Sequence, residues 1–81
     1  MKVTVSYFAV VRERTGLRSE VLDVAEPVTV RAVFESATQR HGTLKPMLSF
    51  LRFAIDDEFS ELDALVPAGA KVAFIPPVAG G

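Results

Sequence analysis

Apolar and polar residues alternate along positions 2–9, "KVTVSYFA". Val3, Val5 and Tyr7 fall on one face, and Lys2, Thr4, Ser6 and Phe8 on the other. A period of two predicts a half-buried strand. "VVRERTG" follows and reads as about one helical turn closed by Gly16, a residue suited to a left-handed cap. Positions 18–24, "RSEVLDV", alternate less cleanly around Val21 and Leu22. They are expected to return antiparallel to the first strand.

The period then changes to that of a helix in "EPVTVRAVFESATQRHG". Thr29 is placed to cap its N-terminus. Val30, Val33, Phe34 and Ala37 form one apolar stripe at i, i+3, i+4 and i+7. Arg40 and His41 occupy the last turn, where cations suit the dipole, and Gly42 is expected to close the helix in the left-handed conformation. "TLKPMLSF" is a connector with a short turn beginning at Pro46. "LRFAID" (51–56) sets Leu51, Phe53 and Ile55 on one side of a strand. "DEFSELDALVPAG" is loop-rich, with a turn at Pro67–Gly69. "KVAFI" (71–75) is the last strand, with Val72 and Phe74 inward. Pro76 and Pro77 end it, because proline cannot donate to a ladder.

Two strands, one strong helix and two or more strands give an α+β fold: a mixed sheet with one main helix packed across one face. The expected organisation is one domain over 1–75 and an extended tail over 76–81.

Composition narrows the chemistry. A chain of 81 residues supports one domain, and 49% hydrophobic residues are enough to build its core. The net charge of −1 argues against nucleic-acid binding, which needs a basic excess. No apolar run approaches the roughly 18 residues of a membrane span. The opening "MKVTVSYFAV" alternates at once and reads as a strand, not a leader, so the cytoplasm is the expected compartment. There is no cysteine and only one histidine, His41. Thiolate chemistry is therefore excluded, and a multi-histidine metal site or a histidine-centred triad is disfavoured. No bound cofactor is expected.

What remains is the end of the chain, "PPVAGG". Two prolines favour a stiff, extended exit. Six extended residues reach roughly 20 Å. Gly80 and Gly81 add no side-chain width, so this end can thread a channel only as broad as a backbone. The terminal carboxylate is ionised at neutral pH and becomes electrophilic when a partner converts it to an acyl-adenylate with ATP. Sulfide would then leave a thiocarboxylate, and an amine would leave an isopeptide bond.

The same residues carry a family likeness. "YFAVVRERTG", "TVRAVFE" and "AGAKVAFIPPVAGG" resemble the ubiquitin-like β-grasp sulfur carriers, specifically the molybdopterin synthase small subunits of MoaD type. The likeness covers the whole chain. It implies a β-grasp fold and a Gly81 that is adenylated and then thiocarboxylated. The implied partners are an ATP-dependent adenylyltransferase/sulfurylase activating enzyme and the large subunit of molybdopterin synthase, in a heterotetramer of two small and two large subunits. Sulfur would pass to cyclic pyranopterin monophosphate, in molybdenum cofactor biosynthesis. ATP and zinc would belong to the activating enzyme, and the catalytic side chains to the large subunit.

The likeness also implies an exposed apolar patch at Phe8, Phe59 and Ile75 that both partners cover. Pro76, Pro77, Val78 and Ala79 would follow Gly80 and Gly81 into the partner. Two positions depart from the family pattern: Ala70, where an acid is common, and Asp56, where Asn is common. Three other functions compete with this one: a ubiquitin-like modifier joined to lysines through Gly81, a sulfur carrier for thiamine or tRNA thiolation, and a binding module with an inert tail. Asp56, Asp57 and Glu58 read as a solvated turn before a cation site, and Arg12 and Glu13 as a charged helical face. Arg52 and Lys71 read as solvated strand charges, and His41 as a helix-end residue.

Overall fold

The computed structural model describes residues 1–77. β1 (Lys2–Tyr7) is followed by a short helix α1 (Val10–Thr15), then β2 (Ser19–Asp23) and the main helix α2 (Val30–Arg40). A 3₁₀ segment (Gly42–Ser49) leads to β3 (Arg52–Ile55), β4 (Glu58–Ser60) and β5 (Lys71–Ile75). The five strands form one sheet in the order β2-β1-β5-β3-β4. β1 and β5 run parallel, and the other neighbours are antiparallel. The expected mixed sheet with one crossing helix is the observed fold.

Side-chain phase explains where the core sits. Val3, Val5 and Tyr7 from β1, Leu22 from β2, and Val72 and Phe74 from β5 all lie under α2 and are buried. The helix returns Val30, Val33, Phe34 and Ala37 to the same core. Phe34, Phe53 and Phe74 pack with ring centroids 5.2–5.7 Å apart, and Tyr7 joins Phe74 at 5.5 Å. Tilted and edge-on contacts of this kind each add about 1 kcal/mol beyond burial. Thr29 caps α2 as expected, its Oγ1 accepting from the Ala32 N–H at 3.1 Å.

Several expectations are corrected. β1 stops at Tyr7, because Ala9 adopts a positive φ of 48° and starts α1 instead. Gly42 does not close α2 in the left-handed region. His41 is the cap, at φ −130° and outside the left-handed region, and the chain runs directly into the 3₁₀ segment. That segment starts at Gly42, not Pro46, and buried Leu44 and Met47 pin it to the core. The stretch expected to be loop contains β4, three residues long. An alternation that short carries no period of its own; pairing with β3 creates the strand. The turn before it uses Asp56 (φ 47°) and Asp57 (φ 71°), the two positive φ values a tight hairpin requires. Asp56 Oδ1 also accepts the Lys71 N–H at 2.9 Å. The turn at Pro67–Gly69 is present, with Gly69 at φ 84° and the Ala70 N–H donating to Pro67 O. Ala70 is buried in the core cluster, so an acid there would lose hydration at this site.

Candidate functional site

The face of the sheet turned away from α2 is laid out by the ladder. Directly opposed residues share a face, so Ser19, Ser6, Ala73, Ala54 and Phe59 make one row across it. Small residues fill the centre, and Phe59 stands at the edge, 68% exposed. One row nearer the end of β5, Ile75 lies opposite Arg52. The Arg52 guanidinium sits over the Phe59 ring, 5.5 Å from its centroid, within range of a cation–π contact. Phe59 and Ile75 therefore flank one arginine. Phe8 lies just past the end of β1, beside the Tyr7–Phe74 pair, and is 42% exposed. The three apolar residues singled out from the sequence all lie outside the core, Ile75 half-buried and the two phenylalanines exposed.

β5 occupies the middle of the sheet, bonded to β1 on one side and β3 on the other. Whatever follows it is anchored by two ladders. Pro76 is buried and Pro77 exposed. Val78, Ala79, Gly80 and Gly81 lie outside the described residues.

Two features emerge only in the folded chain. The first is a polar knot at Glu20. This residue shares the inward phase of Leu22 and faces Val5 across the ladder. Its Oε2 accepts from the Tyr7 hydroxyl at 2.5 Å and meets His41 Nε2 at 2.7 Å, while Oε1 accepts from Arg40 at 2.8 Å. Partial burial acts to raise the Glu20 pKa, but the bonds from Tyr7 and His41, with the nearby positive charge, outweigh it and hold it below the usual range. Burial, then the bond to Glu20 and its negative charge, push the Tyr7 phenol up. The knot ties the end of α2 to β1 and β2. Tyr7 at an inward position, with an oxygen that needs a partner, was the available signal. His41 is at the helix end, as expected, and its ring has this second task.

The second is the apolar surface at the exit end of the sheet, where Leu17 (37%) and Phe50 (44%) are exposed besides Phe8. Among the described residues no group of three or more His, Cys, Asp or Glu side chains gathers as metal ligands. No helix there is long and apolar enough to cross a membrane. The exposed features that stand out are apolar surface and an anchored exit strand, an arrangement for being held by another protein.

Comparison with known proteins points the same way. The sequence model of the ThiS family matches residues 5–81. The chain is 32% identical to the human molybdopterin synthase sulfur carrier subunit, over 99% of this chain and 94% of that one. It is 30% identical to the Mycobacterium tuberculosis protein of the same name, over 100% and 99%. Among solved structures, SAMP1 from Haloferax volcanii superposes with a TM-score of 0.90 at 24% identity, covering all of both chains. The complex of subunits 1 and 2 of molybdopterin-converting factor from Helicobacter pylori contains a chain that matches with a TM-score of 0.68 at 21% identity, again over both full lengths.

Proposed function

This chain belongs to the ThiS family, and from that premise we propose that it is a β-grasp sulfur carrier acting as the small subunit of molybdopterin synthase. The observation that carries this reading is the likeness, along the whole chain, to two sulfur carrier subunits at 30–32% identity. The Helicobacter pylori complex, which joins subunits 1 and 2 of molybdopterin-converting factor, supports a second synthase subunit as the partner.

The chemistry takes place at the end of the main chain. The Gly81 carboxylate attacks the α-phosphorus of ATP in an activating enzyme, releasing pyrophosphate and forming an acyl-adenylate. Sulfide displaces AMP and leaves a thiocarboxylate. In the large subunit that sulfur passes to cyclic pyranopterin monophosphate to build molybdopterin. This chain contributes position, not side-chain catalysis. β5 holds the root of the tail between two ladders, and residues 77–81 extended reach roughly 17 Å beyond it. Gly80 and Gly81 keep the leading end narrow. Phe8, Phe59 and Ile75 bind the partner, as do Pro76, Pro77, Val78 and Ala79 ahead of the terminal glycines. The chain holds no cofactor itself; ATP is consumed by the activating enzyme. The working assembly is two small and two large subunits in the cytoplasm.

The test is the intact mass after incubation with activating enzyme, ATP and a sulfide donor. One oxygen replaced by sulfur is expected, localised to Gly81. An unchanged mass, with an enzyme shown to be competent on another carrier, overturns the reading. The likeness to SAMP1 carries the fold alone. Conjugation is the competing outcome, and it would be read as a branched peptide joining Gly81 to a lysine.

A further inference from the structure

The nine Lys and Arg residues are scattered along the sequence, but the fold gathers five of them at one end. β1 and β5 end, and β2 and β3 begin, at the same edge of the sheet. Arg12 and Arg14 lie on α1, which follows β1 there. Arg18 immediately precedes β2, its carbonyl accepting the Tyr7 N–H at 2.8 Å. Lys45 lies on the 3₁₀ segment packed beside α1, and Arg52 is opposite Ile75. All five are exposed. Among the described residues none is in an ion pair, whereas Arg31 and Arg40 are engaged with Asp63 and Glu20. Two acids share this end, Glu13 on α1 and Glu61, which follows β4 beside Arg52. At the opposite end of the sheet stand Asp23, Asp56, Asp57 and Glu58, together with Lys2 and Lys71 at the starts of β1 and β5. A net charge of −1 thus conceals an excess of cations at the end of the sheet where β5 finishes.

We propose that Arg12, Arg14, Arg18, Lys45 and Arg52 form a cationic collar around the root of the tail, and that it docks on an acidic rim around the channel mouth of the activating enzyme. This rests on the sulfur-carrier reading and adds to it a surface and the charge of its partner. The tail delivers a carboxylate toward the phosphates of ATP, a like-charge approach. Cations on the domain's shoulder, meeting carboxylates outside the channel, orient the encounter without neutralising the catalytic pocket. Complementary surface charge of this kind acts on the association rate and is screened by salt. A protein partner is favoured over RNA because the chain lacks the basic excess that phosphate neutralisation needs.

The experiment measures association with the activating enzyme that thiocarboxylates the wild-type chain, by stopped-flow at several salt concentrations. Two double variants carry the same net charge. Arg12→Gln/Arg18→Gln removes collar charge, and Lys2→Gln/Lys71→Gln removes charge elsewhere. The collar pair should associate about tenfold more slowly at low salt, with the difference fading near 1 M salt, where the screening length is only about 3 Å. The control pair should match wild type, and both should unfold at the wild-type temperature. Equal rates for the two pairs overturn the proposal while leaving the sulfur-carrier reading intact, provided both still gain sulfur at saturating enzyme. If no form gains sulfur, that reading fails and the collar proposal falls with it. Retention of wild type on polyuridine at physiological salt, lost in the collar pair with association unchanged, would assign the collar to RNA and also overturn the proposal.

Discussion

The Tyr7 hydroxyl donates to Glu20 Oε2 at 2.5 Å, joining the innermost aromatic of β1 to the one carboxylate that faces the helix side of β2. The same oxygen meets His41, and its partner oxygen accepts from Arg40. One carboxylate therefore fastens the end of α2 to two strands.

Replacing Glu20 with Gln is expected to destabilise the domain by about 1–3 kcal/mol, because the buried Tyr7 hydroxyl and the half-buried His41 ring lose a charged acceptor. Tyr7→Phe should have a smaller effect, about 1 kcal/mol, since it removes one donor and leaves Arg40 and His41 in place. Urea unfolding midpoints measure both.

The knot also sets a pH dependence at each extreme. The Glu20 pKa is lowered by folding, so its contribution is present above the unfolded carboxylate value of about 4.3 and is lost as pH falls through the folded value. The Tyr7 pKa is raised, so its contribution is present below about 10 and declines as pH rises beyond that. Stability measured from pH 3 to 11 should show both declines. Glu20→Gln should flatten the acid limb, and Tyr7→Phe the alkaline one.

Thr29→Ala removes the acceptor for the Ala32 N–H at the start of α2. The expected loss is about 1 kcal/mol. Thr29→Asp should retain stability, and thermal unfolding distinguishes the two.

Phe59 is 68% exposed, so Phe59→Ala should change stability by less than about 0.5 kcal/mol. Affinity for the large subunit is expected to fall about tenfold, as for truncation of an aromatic anchor. Val21, 53% exposed near the far end of the same face, serves as the control: Val21→Ala should bind as wild type in calorimetry.

Deleting Gly80 and Gly81 should abolish thiocarboxylation outright while leaving the thermal unfolding midpoint unchanged. A truncated chain that still gained sulfur would refute the assignment of the reactive group to the terminus.

The main lines of the fold were legible in local pattern. Val3, Val5 and Tyr7 at period two, and Val30, Val33, Phe34 and Ala37 at period 3.6, became the core because a side chain's phase decides its face before any tertiary contact forms. The stop at Pro76 was equally legible, since proline's missing N–H is a local property. The remaining features depend on contacts between distant segments. β4 exists through its pairing with β3, and the 3₁₀ segment is held by the burial of Leu44 and Met47. Glu20 and His41 are 21 residues apart in sequence, and Arg12 and Arg52 stand at one end of the sheet only because β1, β3 and β5 share that edge. Local pattern specifies which way a residue faces, but what it meets there depends on strand order, which no short window of sequence contains.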